Sequence, residues 1–525
     1  MQKLSNILSK QVFFMEKRPG FLSLNDDSVH VIPEPASLRY TGKEHIDLAD
    51  FILVDTPDAE PVADELRRLF GLSGKGPGRL LCGELADAPS PEAYSISVRA
   101  DEVRISSASR RGMLYAVETL KQLRVGTWLR EVEVEDAPVM AIRGFHTNLA
   151  SIRQLDFPAV MRFIDELAKF KVNTWLLEYN HCFPFEGHPA MHGAQTFTPE
   201  EIAAIEARCK DREIEIIPLL QSFGHVGHIG MHPEYNDLIE PGAKVVVDMQ
   251  FCPLNPGGFE LFKDLAKQLM AAHPGGRYFH IGGDEVRSLG NCPKCAEFVR
   301  KYGKGKLYTD HINKVCAWVK EQGWTPVIWD DMLSHFPELV SQITRDAVIM
   351  YWDYWTTSDP SPFFIARPAA MPQTADRSWQ ESWDELDEPE RTITRLYGEF
   401  TDVEECLTQP GMAPIRPYLG DKTPKWFNAF PFFDFYRDLG FEVFAAPAAF
   451  GNTIDDLYGL PNLGRTCKNI RLFAEKCRKS KGLGLVTTSW YSFPPETLSI
   501  GIIETAQNTW CGRVMSPVDA EQTIR

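Results

Sequence analysis

Two adjacent carboxylates, Asp284 and Glu285, follow an apolar segment and two glycines in the stretch YFHIGGDEVRSLG. Neighbouring residues of a regular strand point to opposite faces, so both acids cannot reach one ligand from an unbroken strand. Gly282 and Gly283 allow the strand to break, after which both side chains can turn to the same side. Crowded carboxylates raise the pKa of at least one of the two, which favours proton donation to a leaving group. The pattern indicates acid/base chemistry, although adjacent acids are more often a solvated surface pair.

Repeated strand and helix units after Ala141 must position these acids. They predict the α/β class, with a (β/α)8 TIM barrel preceded by a small α/β domain. A doubly wound sheet is the alternative, but no glycine-rich phosphate loop follows the first strand. The predicted strands are residues 141–146, 172–180, 215–223, 278–283, 326–331, 348–355, 441–450 and 483–490.

The chain is long enough for two or three domains. We expect an N-terminal arm at 1–27, a small α/β domain at 28–138 and a catalytic barrel at 139–525. An insertion at about 356–440 separates the sixth and seventh predicted strands and is rich in proline and aromatic residues. It either covers the barrel mouth or forms an ordinary packed subdomain.

The ends of the predicted strands carry acids, tryptophans and one histidine. In such a barrel the reactive groups lie at the carboxyl ends of the strands. Carboxylates bind hydroxyls, and indole rings stack on sugar rings, so this set indicates a sugar pocket. Singly, each residue has a structural interpretation as an ion-pair partner, a buried histidine or a core cap. The set is Glu178, Tyr179, His225, Asp284, Glu285, Trp329, Asp330, Asp331, Trp352, Asp353, Tyr354, Trp355 and Trp490.

Adjacent acids fit poorly to the usual retaining glycosidase, whose acid and nucleophile flank the bond from opposite sides. A 2-acetamido group on the substrate removes this difficulty if it acts as the nucleophile. One acid would then protonate the leaving oxygen, and the other would hold the acetamido nitrogen.

The motif HIGGDEV resembles the active-site strand of family 20 glycoside hydrolases, the β-N-acetylhexosaminidases. The segments FKVNTWLLEYN, IIPLLQSFGH, CPLNP, VIWDDM and YWDY also occur in the family's order. The segment from EAYSISV to ETLKQL is similar to the small domain that precedes the family's barrel, and the resemblance spans most of residues 30–490. LLEYNHCFPFEG and QSFGH are most similar to the hexosaminidase D-like branch.

The resemblance implies a retaining exo-β-N-acetylhexosaminidase with an oxazolinium intermediate. It implies Glu285 as general acid/base and Asp284 as the residue that orients the acetamido group. The expected substrate-binding residues are Glu178 for sugar hydroxyls, His225 behind the acids, Trp329, Trp352 and Trp490 as walls, Tyr354 or alternatively Tyr351 at the acetamido oxygen, and Arg143 as a weak substitute for the family's hydroxyl-binding arginine.

Departures from the family pattern leave the sugar undecided. His181, preceded by Asn180, stands where the family places an acid, and the first strand gives the expected arginine no clear match. The choice between terminal N-acetylglucosamine and N-acetylgalactosamine stays open. Alternatives are a related acetamido-directed glycosidase on sulfated or protein-linked N-acetylhexosamine, and a non-catalytic carbohydrate-binding barrel.

Cys292 and Cys295 have the spacing of metal ligands. A zinc ion needs two further ligands, for which Cys252, His228 and His232 are candidates. We favour a plain pair at a helix start over structural zinc, and the chemistry itself needs no cofactor.

A net charge of −17 argues against a nucleic-acid or anionic-membrane partner, so a glycan is the expected partner. We recognise no signal peptide or membrane-spanning segment, and the eleven scattered cysteines are consistent with a reducing compartment. The expected location is cytoplasmic. A homodimer is compatible with a barrel, but the sequence does not decide the oligomeric state.

Overall fold

The fold was examined in a computed structural model, which describes residues 31–150, 156–362, 364, 391, 407–408, 412–421, 426–450, 461–490 and 497–512. By their internal contacts the residues divide into two compact units, Met1–Pro138 and Val139–Arg525. The predicted N-terminal arm lies outside the described residues.

The first unit contains a six-stranded mixed sheet with strand order β1-β6-β4-β5-β3-β2. Its second helix begins after the N-cap Ser109 and spans Arg110–Leu123. β4 and β5 form an antiparallel hairpin that turns at Ala100-Asp101. The elements are β1 (Ser37–Asp47), β2 (Ile52–Leu53), α1 (Ala63–Phe70), β3 (Arg79–Glu84), β4 (Tyr94–Val98), β5 (Glu102–Ser107), α2 (Arg110–Leu123) and β6 (Trp128–Asp136).

The second unit contains the predicted eight-stranded parallel barrel, which is thereby confirmed. Neighbouring strands pair in parallel, and the seventh barrel strand, which pairs with the sixth, also pairs with the eighth to close the circle. The barrel strands are β7 (Ile142–Asn148), β8 (Thr174–Glu178), β9 (Glu215–Leu219), β10 (Tyr278–His280), β11 (Thr325–Trp329), β12 (Val348–Trp352), β13 (Val443–Ala446) and β15 (Gly484–Ser489), with a short β14 (Ala448–Phe450) beside β15.

Helices connect the barrel strands. Thr198 and Glu201 form a capping box at the start of the second of these helices. No helix among the described residues is long and apolar enough to cross a membrane. The helices are α3 (Phe157–Lys169), α4 (Pro199–Asp211), α5 (Gly227–Gly230), α6 (Pro256–Ala272), α7 (Pro293–Tyr302), α8 (Lys304–Glu321), α9 (Asp331–His335), α10 (Pro431–Asp438), α11 (Leu463–Lys479) and α12 (Ser499–Trp510).

Alternate residues of the barrel strands fill its interior with apolar side chains, so the barrel has a packed core. On β8, for example, Leu176 belongs to this cluster, while Trp175 packs against Phe163 of α3. Alternation also directs the last residue of β8 to the inner face, which matters for the site. The buried cluster consists of Ile142, Leu176, Ile217, Leu219, Val327, Trp329, Val348, Met350, Phe444, Ala446 and Val486.

The described part of the predicted insertion packs against the outer face of β12. Tyr351 lies 6.3 Å from Phe430 and 6.2 Å from Phe433, measured between ring centroids. Phe430 also stacks on Phe473 of α11 at 3.7 Å. These aromatic residues form ordinary outer packing, whereas Trp379 and Trp383 lie outside the described residues.

Candidate active site

The strand that carries the acids ends earlier than the sequence predicts. β10 stops at His280, three residues before the predicted end. Gly282 and Gly283 then adopt φ values of +68° and +93°, and Glu285 adopts +47°. A Cβ atom at Gly282 would lie 1.8 Å from the Gln221 Oε1 atom, so the close approach also requires glycine. The broken strand brings Asp284 and Glu285 to the same side.

His225 lies between the two acids and contacts both. Its Nε2 atom is 3.2 Å from the Asp284 carboxylate and 3.3 Å from the Glu285 carboxylate. Its Nδ1 atom donates to the backbone oxygen of Val247 at 2.9 Å, so both ring nitrogens are engaged. Burial opposes protonation, but Asp284 and Glu285 outweigh it and raise the pKa of His225 well above its usual 6.5. Asp284 and Glu285 therefore both face the positive charge of one protonated imidazole, that of His225.

Each acid has a further hydrogen bond that fixes its position. Gln221 donates through Nε2 to the Asp284 Oδ1 atom at 3.2 Å. The backbone N–H of Glu285 donates to the buried Asp331 Oδ2 atom at 2.9 Å. Arg287, which is largely exposed, places Nη2 2.8 Å from the Glu285 Oε1 atom. The sequence analysis gave Gln221, Asp331 and Arg287 no role, although Asp331 stood among the strand-end acids.

Aromatic residues form one wall beside the acids. The rings of Trp329 and Trp490 are 5.7 Å apart, and those of Trp352 and Tyr354 are 4.9 Å apart. Trp490 donates through Nε1 to the Tyr354 hydroxyl at 2.9 Å, which joins the two pairs. Tyr351, the alternative to Tyr354, lies on the outer face of its strand. The structure thus brings Trp329, Trp352, Tyr354 and Trp490 together.

Glu178 lies at the same end of the barrel and meets this wall. The amide nitrogen of Asn180 donates to Glu178 Oε1 at 3.0 Å. His146 lies 3.7 Å from the other carboxylate oxygen, Oε2, and its ring is 4.7 Å from the ring of Trp490. The sequence analysis missed His146, whose inward position follows from strand alternation after Ile142.

The prediction that Arg143 binds sugar is wrong. Arg143 follows Ile142, which points into the barrel, so its own side chain points outward near the amino end of β7. It is fully buried and donates to the backbone oxygens of Lys171 and Met140, both at 2.9 Å. Its guanidinium also lies 4.9 Å from the ring of Trp510. Arg143 is a packing residue at the end opposite the acids.

Two further strand-end acids have structural partners. Asp330 accepts from the backbone N–H of Trp352 at 2.9 Å and from the Tyr436 hydroxyl at 3.3 Å. Asp353 accepts from the backbone N–H groups of Trp355 and Thr356, both at 2.9 Å. These acids order the ends of β11 and β12.

Cys292 and Cys295 lie at the start of α7, which follows the acids in the chain. Cys252 is beside them, as one of the candidate zinc sets requires, but neither His228 nor His232 belongs to this group. The fourth member is Glu240, a residue that the sequence analysis did not consider.

Comparison with known families identifies the class of protein. The profile described as "Glycosyl hydrolase family 20, catalytic domain" matches residues 142–361. The profile "Glycosyl hydrolase family 20, domain 2" matches residues 28–137. The chain belongs to glycoside hydrolase family 20, which confirms the resemblance.

Similar proteins are hexosaminidases. Hexosaminidase D of Homo sapiens is 33% identical over 198 residues, which are 36% of this chain and 40% of the relative. The chain thus spans less than half the length of that relative, and it spans 56% of Hexosaminidase D of Bos taurus. Beta-N-acetylhexosaminidase of Cellulomonas fimi is 28% identical over 383 residues, covering 65% of this chain and 72% of the relative.

Solved structures share the fold. The beta-N-acetylhexosaminidase from Bacteroides fragilis superposes with a TM-score of 0.64 at 14% identity and covers 94% of both chains. The exo beta-N-acetylglucosaminidase from Vibrio harveyi, solved with N-acetylglucosamine, gives a TM-score of 0.63 at 17% identity and covers 96% of this chain and 77% of the other.

Proposed function

We propose that the chain is a retaining exo-β-N-acetylhexosaminidase that hydrolyses terminal β-linked N-acetylhexosamine with the help of the substrate's acetamido group. One observation carries the proposal: Asp284 and Glu285 are adjacent and contact the same nitrogen of His225. Acids placed side by side cannot flank a glycosidic bond as acid and nucleophile from opposite faces. A nucleophile within the substrate fits this arrangement.

The reaction assigns one task to each acid. Glu285 donates a proton to the leaving oxygen while the acetamido carbonyl oxygen attacks the anomeric carbon, and the glycosidic bond breaks to give an oxazolinium. Asp284 accepts a hydrogen bond from the acetamido N–H and stabilises the positive charge that develops there. Glu285 then takes a proton from water, which attacks the same carbon and restores the original configuration.

The surroundings of the acids suit these tasks. Gln221 and His225 together hold both oxygens of Asp284, so its direction is fixed before the substrate binds. Trp490 orients the Tyr354 hydroxyl, which we place at the acetamido oxygen. Glu178, held by Asn180, is placed at sugar hydroxyls.

The test compares two carboxylate variants on an aryl β-N-acetylglucosaminide. Glu285→Gln should lose about 100- to 10,000-fold in turnover, the usual contribution of a positioned acid/base. Asp284→Asn should lose turnover and also inhibition by a thiazoline analogue of the cyclised intermediate. Asp310→Asn, an exposed acid on α8, is the matched control and should keep full activity. Equal cleavage of a β-glucoside that lacks the acetamido group would refute the mechanism.

The substrate is decided by a wider panel. Aryl N-acetylglucosaminides, N-acetylgalactosaminides, their 6-sulfated forms and an O-GlcNAc peptide separate the expected exo-hexosaminidase from its acetamido-directed alternatives. The two sugars differ only at the 4-hydroxyl, so their ratio of kcat/KM reports the residues near Glu178. Binding of one of these sugars without turnover would instead support a carbohydrate-binding barrel.

A further inference from the structure

Four potential metal ligands meet at the start of α7, and none of them is a candidate sugar-binding residue. Their ligand atoms all lie within 4.8 Å of one another. The Sγ atom of Cys252 is 3.7 Å from that of Cys292 and 3.6 Å from that of Cys295. Glu240 is the fourth, and all except Cys292 are buried.

The spacing of the sulfur atoms is that of zinc ligands. Zinc binds cysteine sulfur at about 2.3 Å with tetrahedral angles, which places two such sulfurs about 3.8 Å apart. A disulfide would require about 2.05 Å. Cys292 is the N-cap of α7, and its sulfur accepts from the backbone N–H of Cys295 at 3.3 Å.

Glu240 provides independent evidence for a cation. Its side chain is completely buried, and Oε1 accepts from the backbone N–H of Cys292 at 2.7 Å. The other oxygen, Oε2, is buried and makes no hydrogen bond within the described residues. No lysine, arginine or histidine among those residues forms an ion pair with it. A metal ion held by this carboxylate and the three sulfur atoms would supply the positive charge that a buried carboxylate otherwise lacks.

We propose that Cys252, Cys292, Cys295 and Glu240 bind one structural zinc ion. Four protein ligands complete the tetrahedron, so this zinc does not act on substrate. Binding replaces the three thiol protons with the metal. The carboxylate takes the place that the sequence suggested for a histidine.

The ion would link the loop that ends at Cys252 to the loop that runs from Glu285 to Cys292. Cys252 ends a loop in which the backbone oxygen of Val247 accepts from His225. Cys292 follows Glu285 in the other loop, where the Ser288 backbone N–H donates to Gln250 at 2.7 Å. Zinc therefore contributes to the reaction only by positioning these loops.

Metal analysis of the full chain, purified with a reductant and without chelators, tests the proposal. Elemental mass spectrometry should find a zinc content of about one ion per chain. Replacement by Co²⁺ should give the intense near-ultraviolet absorption of cobalt–thiolate bonds. Cys295→Ser and Glu240→Gln should lower the zinc content at least tenfold after dialysis against a weak chelator. Cys316→Ser, which changes a buried cysteine of α8 outside the cluster, should keep the metal.

Two results would overturn the proposal without depending on turnover. One is wild-type protein that contains no zinc as purified and takes up neither zinc nor cobalt in its reduced form. The other is a disulfide between Cys252 and either neighbouring cysteine in the intact mass of reductant-free protein. If a variant fails to fold, the wild-type measurement still decides, and the sugar panel tests the reaction separately.

Discussion

Replacing His225 should change how the stability of the barrel depends on pH. The side chain is within 3.3 Å of two carboxylates, and their attraction raises its pKa well above 6.5 in spite of partial burial. We choose His225→Asn because the residue has a φ of +53°, which asparagine tolerates better than most side chains. The variant removes the titrating group and leaves the acids in place.

The sign follows from proton binding in the two states. Below about pH 6.5, histidine is protonated in both the folded and the unfolded chain, and the full stabilisation is present. Above that pH the unfolded chain releases its proton while folded His225 keeps it. The free energy of unfolding then falls by up to about 1.4 kcal/mol per pH unit, until the pH passes the raised pKa of the folded state.

The assay is denaturant unfolding of the wild type and the variant between about pH 7.5 and pH 9.5. The wild type should lose stability across the window more steeply than His225→Asn. His311→Asn is the control, because burial lowers the pKa of His311 to about 3 and that residue is neutral throughout. The control should shift the whole curve without changing its slope. Equal slopes for wild type and His225→Asn would refute the assignment of a shared positive charge.

Three further predictions concern two residues beside the acids and one at the opposite end of the barrel. Gly282→Ala should lower both kcat and stability, because it adds about 1–2 kcal/mol of left-handed backbone strain and places the new Cβ 1.8 Å from the Gln221 Oε1 atom. In the control Gly323→Ala the new Cβ meets no atom within 4 Å, so that variant should lose stability through backbone strain alone. Denaturant unfolding and steady-state kinetics of both variants test this difference. Arg143→Ala should cost about 2–4 kcal/mol in denaturant unfolding, because backbone carbonyls lose their donor, and an altered KM in the folded protein would contradict its packing role. Asp331→Ala should reduce kcat by up to about 100-fold with little change in KM, since Glu285 loses the acceptor of its backbone N–H, and unchanged kcat would show that this hydrogen bond does not position the acid.

The eight barrel strands could be predicted because a strand buried on both faces is a short apolar run between turns or helices. The positions at which the strands end were predicted less accurately, as β10 illustrates. The extended pattern continues to Gly283, but the positive φ of Gly282 ends the hydrogen-bonded ladder first. The neighbouring residues in the sequence do not determine whether the φ angle of a glycine is positive or negative.

Side-chain direction explains where Tyr354 lies and why the prediction for Arg143 was wrong. Counting by two from an inward residue places Trp352 and Tyr354 on the inner side and Tyr351 outside. The same count from Ile142 excludes Arg143 and selects His146. Arg143 matches the family's arginine only by lying on the first strand, and that position does not determine which face of the strand its side chain points to.

The contacts of the remaining site residues could not be predicted, because they join residues far apart in the sequence. Gln221 reaches Asp284 across 63 positions, and Cys292 approaches Cys252 across 40. Glu240 had no pattern that distinguished it from other loop acids. Such contacts depend on how two loops fold over each other, which local periodicity does not encode.

The left-handed backbone at Asn180, His225 and Glu285 has a consequence for engineering. Each non-glycine residue in this region costs about 1–2 kcal/mol, so a glycine there would relieve strain while removing a side chain of the candidate site. Selection for thermal stability alone would therefore favour variants that unfold at a higher temperature but have lost these side chains. A thermostable form of this enzyme has to gain its stability elsewhere, for example in the outer helices, and keep these three positions unchanged.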